Sequence, residues 1–346
     1  MHLIVCCDGT WNRPDDQHPT NVVLFARNLL NDWDRQMVYY DAGVGTGGRL
    51  DEAIGGATGA GLEENVSQAY RFLVENYAHG DQISVFGFSR GAFTVRSLAG
   101  LIYKCGVVDR SKPKLEDRIA KALELYRDER SPARSGVEAF RDRESITREV
   151  HVIGVWDTVG ARGIPAGKLG KLYSDWKYGF HDTKLNRMVR YAFHAVALDE
   201  QRDAFEPALW TQSENAEAGQ VIEQVWFPGV HSDVGGGYEK RGLADGALAW
   251  MQAKAKKAGL LFRDRPYYDP KPAACDLLHD SSREWPLGKE ARSFEPRDES
   301  PGHALPRVLH KSIHARLLGD PTYQPTNLLQ GDRKPLSDPA AFVGDD

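Results

Sequence analysis

Apolar residues gather along this chain in short unbroken runs at 3–7, 37–40, 83–86, 150–156 and 221–227. Most are continuous rather than alternating, the pattern of strands covered on both faces. Helical spacing predicts helices at about 20–33, 62–78, 91–104, 114–129, 183–197 and 243–257. In the third of these, Phe93, Val95, Leu98, Leu101 and Ile102 form a stripe that stops at Gly106. Strands separated by helices predict an α/β fold: one mainly parallel sheet flanked by helices on both faces, in a single domain over 1–330. The proline- and charge-rich stretch 263–302 reads as a surface insertion, an apolar segment returns at 303–318, and 331–346 reads as a loose tail. There is no internal repeat. The glycine-rich stretch 43–61 lacks a following Gly-Lys-Ser/Thr, so it reads as a loop near the sheet edge rather than a phosphate cradle.

Composition narrows the function little. Of 346 residues, 41% are hydrophobic and 27% charged, with a formal net charge of −5, enough for a normal core and without the basic excess a nucleic-acid partner would call for. The four cysteines stand at 6, 7, 105 and 275. Cys6 and Cys7 are neighbours on a predicted strand and point to opposite faces, so the cysteines imply folding in a reducing compartment. The N-terminal apolar run is too short for a signal peptide and has no basic lead-in, so no cleaved signal is expected. No window approaches the roughly 18 apolar residues of a membrane span.

The chemistry is concentrated at predicted strand ends, where open α/β sheets collect ligands. The run Val85-Phe86-Gly87-Phe88-Ser89-Arg90-Gly91-Ala92 ends in Gly-x-Ser-x-Gly between a strand and a helix, the context of a nucleophile elbow. Asp157 follows the 150–156 strand and His231 follows the 221–227 strand. The chain order Ser, Asp, His is the one α/β-hydrolases use. In that reading His231 takes the proton of Ser89, and Asp157 holds the histidine tautomer. Backbone N–H groups of Arg90 and of Gly9 or Thr10 form the oxyanion hole. Asp233 and Asp199 are alternative acids, and His310 is the alternative base. Asp8 reads as a turn former beside the oxyanion loop. No carboxylates cluster at metal-ligand spacing, and the His310/His314 pair lacks acidic partners, so no metal or other cofactor is expected.

Several segments together are similar to a known family: Cys7-Asp8-Gly9-Thr10-Trp11-Asn12, Tyr40-Asp41-Ala42-Gly43-Val44-Gly45-Thr46, Gly87-Phe88-Ser89-Arg90-Gly91-Ala92, Val155-Trp156-Asp157-Thr158-Val159, Ala197-Leu198-Asp199-Glu200 and Phe227-Pro228-Gly229-Val230-His231-Ser232-Asp233-Val234-Gly235-Gly236. They resemble the α/β-hydrolase domain of type VI secretion phospholipase effectors of the first group. The resemblance implies a bacterial serine-dependent phospholipase or lipase, supports Ser89, Asp157 and His231 as its triad, and suggests transient membrane contact, an immunity or secretion partner and export by a type VI machine. The 43–61 loop and the apolar 162–180 segment (Ile164, Leu169, Leu172, Tyr173, Trp176, Tyr178, Phe180) are expected to form an acyl pocket or lid. Two other readings stay open: a soluble carboxylesterase or thioesterase acting on small esters, and a non-catalytic toxin-associated interaction module.

Overall fold

The structure, a computed structural model, describes residues 1–9, 12, 14–43, 59–127, 136–159, 185–202, 205, 207–211, 219–281, 305, 308–325 and 342–345. In chain order these form β1 (His2–Cys7), α1 (Asn21–Asn28), β2 (Gln36–Asp41), α2 (Gly59–Asn76), β3 (Gln82–Phe88), α3 (Arg90–Cys105), β4 (Val107–Val108), α4 (Leu115–Arg127), α5 (Val137–Glu144), β5 (Ser145–Thr147) and β6 (Val150–Trp156). Then follow β7 (Val189–Ala197), β8 (Val221–Phe227), α6 (His231–Gly235), α7 (Gly242–Lys257), β9 (Val308–His310), α8 (Lys311–Gly319) and β10 (Phe342–Val343).

Eight strands pair in the order β10-β9-β8-β7-β6-β3-β1-β2, and every pairing in that sheet is parallel. The short β4 and β5 make a separate antiparallel pair. Strand alternation divides the core into two layers. Leu3, Val5 and Cys7 of β1 pack with α2, α3 and α4 on one face, whereas Ile4 and Cys6 pack with α1 and α7 on the other. A smaller cluster of Val196, Leu198, Trp226, Leu309, Ile313 and Tyr323 extends the core under the β9 edge. From β1 the chain steps outward to β2 and then back past β1 to β3, so the crevice between β1 and β3 is a switch point, the usual ligand site of such sheets.

The helix expected at 183–197 is instead β7, a strand hydrogen-bonded to β6 and β8 on either side. Its sequence, Val189-Arg190-Tyr191-Ala192-Phe193-His194-Ala195-Val196-Ala197, is rich in β-branched and aromatic residues. A short apolar run of this kind fits either element by spacing alone, and pairing on both sides decides for the strand. Within the stretch read as a loose tail, Phe342–Val343 adds the outermost strand against Leu309 and His310. Within 263–302, residues 263–280 run mostly exposed over the surface until Ser281 is buried; the remainder lies outside the described residues. The expected pocket or lid segments also lie mostly outside them, at 44–58 and 160–184.

Candidate active site

The bend between β3 and α3 is dictated by contacts that leave no room for a Cβ. A methyl on Gly87 would stand 2.4 Å from the Gly91 carbonyl oxygen, and one on Gly91 would stand 2.1 Å from the Cys7 carbonyl oxygen. With both positions confined to glycine, the chain turns within one residue. Ser89 takes up the turn at φ 56°, ψ −120°, a conformation disfavoured for any residue bearing a side chain. Its N–H donates to the Trp156 carbonyl at 3.2 Å, and its own carbonyl accepts from Phe93 N–H at 3.2 Å. The elbow is thereby tied to the end of β6 and to the first turn of α3. Gly9, at the end of β1, comes so close that a Cβ there would lie 3.3 Å from Ser89 Cβ.

Asp157 and His231 meet across the ends of β6 and β8. With the carboxylate as acceptor, His231 Nδ1 donates to Asp157 Oδ2 at 2.5 Å, and both side chains are buried. Asp157 Oδ1 accepts the Ala197 N–H at 2.9 Å, and the Asp157 N–H donates to the Ala195 carbonyl at 2.7 Å. The carboxylate is therefore fixed from the adjacent β7, in a backbone bent to φ 38°. His231 opens the short helix α6. Its ring lies 4.6 Å from that of Phe88, the residue before Ser89, and 4.8 Å from that of Phe205. Helix α6 reaches this position because Gly235 lets Phe88 in; a Cβ on Gly235 would stand 1.9 Å from the Phe88 ring. No hydrogen bond joins Ser89 to His231 among the described residues. Catalytic contacts of this type commonly tighten only with substrate in place.

The other sequence-selected residues are placed as follows. Asp233 accepts from Val230 N–H at 3.1 Å and pairs with His279 Nδ1 at 2.6 Å, in a site where burial pushes its carboxyl above the usual range. Asp199 accepts from Gly229 N–H at 2.7 Å and Tyr323 OH at 2.9 Å, and burial raises its pKa to about 6. Neither carboxylate is hydrogen-bonded to His231. His310 caps α8 through Ser312, pairs with Asp345 and stacks on Phe227 at 4.4 Å; burial lowers its pKa to about 4. Asp199 also lines a polar pocket of about 440 Å³, together with His279, Ser281, Arg316 and Tyr323.

Arg90 is the first residue of α3, directly after Ser89. Thr10 lies outside the described residues. The Gly9 N–H donates to Asp8 Oδ1 at 2.7 Å. Asp8 is the hub of this corner. It also accepts from Thr20 Oγ1 at 2.5 Å, Tyr40 OH at 2.9 Å and Asn12 Nδ2 at 3.3 Å, and burial raises its pKa to about 6. Sequence reasoning missed Glu200, a buried carboxylate whose Oε2 accepts the His231 N–H at 3.1 Å. Its place directly after β7, beside Asp199, carries no spacing that would single it out.

A mainly parallel eight-stranded sheet flanked by helices makes this an α/β protein, with a strained serine at the end of β3 and a buried Asp–His pair across the ends of β6 and β8. The chain belongs to the family described as "T6SS, Phospholipase effector Tle1-like, catalytic domain", which matches residues 1–254. Among curated proteins it is similar to "Uncharacterized protein YEL023C" of Saccharomyces cerevisiae, 30% identical over 236 residues, covering 61% of this chain and 33% of that protein. The chain thus spans about a third of the length of this relative. Among solved structures it is similar to "Crystal structure of an uncharacterized protein from Pseudomonas aeruginosa", with TM-score 0.48 and 18% identity, covering 76% of this chain and 46% of that one. Among the described residues no helix is long and apolar enough to cross a membrane, and no three His, Cys, Asp or Glu side chains gather as a metal site.

Proposed function

We propose that this protein is a serine-dependent lipid ester hydrolase, a phospholipase that works through an acyl-enzyme on Ser89. Membership in the Tle1-like phospholipase effector family supports a phospholipase-type function. The observation that carries the serine mechanism is the strained elbow at Ser89, set against Gly9 and one residue from the ring contact between Phe88 and the Asp157-bound His231.

In this reading Asp157 keeps the hydrogen on Nδ1 of His231 and so leaves Nε2 as the base. Nε2 takes the proton of Ser89 Oγ as the oxygen attacks the ester carbonyl. The negative charge that forms on the carbonyl oxygen is met by the backbone N–H of Arg90 and that of Gly9 or Thr10. One such donor is worth about 3 kcal/mol of barrier. Collapse breaks the ester C–O bond, and His231 returns the proton to the departing alcohol. Water, deprotonated by His231, then cleaves the acyl-serine to release the fatty acid and restore the serine. The same reading has a bacterial cytoplasm as the place of synthesis, export by a type VI machine, and an immunity protein as partner.

The test is hydrolysis of phospholipid vesicles and of short nitrophenyl esters by wild type and Ser89→Ala, side by side. Fatty acid released from vesicles by wild type and not by Ser89→Ala is the expected result. Cleavage of the small esters alone would make the protein a soluble esterase. A folded wild type inert toward both would end the enzymatic reading and favour an interaction module.

A further inference from the structure

We propose that Glu200 is a positioning residue for His231, acting through a buried clamp that includes Arg202, Phe205 and Ser281; the inference rests on the catalytic role given to His231 above. Asp157 holds the imidazole at one atom only, and a single hydrogen bond leaves a ring free to swing about it. The histidine also opens a helix of five residues, too short to fix its own orientation. Something else must set the backbone and the ring plane, and both lines of support lead to Glu200.

The backbone is held directly, because Glu200 Oε2 accepts the His231 N–H at 3.1 Å. The ring is held at one remove. Arg202 engages both carboxylate oxygens of Glu200, Nε to Oε1 and Nη2 to Oε2, each at 2.8 Å, and its own N–H reaches Oε1 at 2.9 Å. That fork fixes the guanidinium plane, which lies 3.6 Å from the centroid of the Phe205 ring. Phe205 meets the His231 ring edge-on at 67°, and Phe88 makes a second, tilted contact with that ring at 33°. One carboxylate thus orders the main chain of the histidine and an aromatic wall of its slot.

Ser281 Oγ stands 3.2 Å from both oxygens of Glu200, so the surface excursion after α7 reaches back to complete the clamp. His279 from the same excursion braces Asp233 within α6. Both lie beyond residue 254, where the family match ends. Burial on its own would push the Glu200 carboxyl up, but the hydrogen bonds and charge of Arg202 hold it below the ordinary value, so the group stays ionised. Its charge faces an imidazole that becomes cationic during turnover. A buried ion pair adds little stability compared with an apolar pair of the same size, whereas it fixes geometry well.

The experiment compares wild type, Glu200→Gln and Ser89→Ala in the full chain, with nitrophenyl ester and vesicle turnover, thermal melting, and the rate of serine labelling by a fluorophosphonate. For folded Glu200→Gln we expect kcat to fall about 10²-fold with KM little changed, and fluorophosphonate labelling to slow in step. A kcat equal to wild type, or a loss confined to KM, overturns the proposal. If Glu200→Gln does not fold, Phe205→Leu decides, since it removes the ring without disturbing a buried charge. A fall in its kcat of about tenfold at unchanged KM supports the clamp, and a wild-type kcat overturns it. Ser89→Ala separates the two readings. If it stays active, the serine mechanism has failed and the clamp's role with it. If it is inactive while the clamp variants turn over normally, the clamp alone is wrong.

Discussion

Ser89 and His231 stand close together, joined through the Phe88 ring, yet they are held there by different means. Around Ser89 the constraints are steric: two glycines of one pentapeptide are barred from carrying a Cβ by backbone carbonyls, Gly87 by that of Gly91 and Gly91 by that of Cys7, and the strand-to-helix bend follows. Around His231 they are polar and distant in sequence. Asp157 lies 74 residues away, Glu200 31 residues away, and Ser281 holds Glu200 from 81 residues beyond it. A steric elbow tolerates almost no substitution but asks only for main-chain atoms from its neighbours, not for particular side chains. A polar clamp depends on every member being present, and a half-satisfied one costs more than none.

The sharpest way to test the contrast is Asp157→Asn, which preserves shape and removes the charge from the polar side. Ester turnover should fall about 10⁴-fold, near 5.5 kcal/mol of barrier, with the melting temperature changed far less than activity. Gly91→Ala attacks the steric side. With the Cys7 carbonyl 2.1 Å from the new Cβ, denaturant titration should show a loss of about 3 kcal/mol or more, or no folded protein.

Asp199 probes the polar side by pH. Burial raises its pKa from 3.8 to about 6, so between those values the folded protein keeps a proton that the unfolded chain has released. Its contribution is full below pH 4 and is lost as pH rises through 6. Unfolding free energies of wild type should therefore decline relative to Asp199→Asn across that window, by about 3 kcal/mol. A flat difference would show that the two forms bind protons alike. The smallest effect returns to the elbow: Ser89→Gly should abolish ester hydrolysis while raising stability by about 1 kcal/mol, because glycine adopts φ 56° without strain.

The same division governs what could be read from the chain before its fold. The elbow was legible because its signal is contiguous. The sheet was legible where strands were long and apolar, as at β6 and β8. It failed at β7, whose residues fit a helix by spacing and become a strand through neighbours at 150–156 and 221–227. The two-residue β10 carries too little pattern to be seen at all. Within the site, a carboxylate partner for His231 could be foreseen only as one of three, because Asp157, Asp199 and Asp233 all stand near strand ends. Their hydrogen bonds separate them, with Tyr323 and Gly229 on Asp199, His279 on Asp233, and His231 on Asp157. Glu200 was passed over because main-chain contacts of a side chain leave no trace in residue spacing.

The position of β9 bears on how this protein can be cut. Strand β8 bonds to β9 through Val225 and Trp226, and the cluster beneath that edge is completed by Leu309, Ile313 and Tyr323. A fragment ending where the family match ends, at residue 254, would keep Ser89, Asp157 and His231 but strip β8 of its outer partner. It would present an unpaired, apolar edge of the kind that recruits strands from other molecules. Such a fragment should self-associate into precipitate, making solubility on truncation a property of the sheet's rim rather than of the strand ends that carry Ser89, Asp157 and His231.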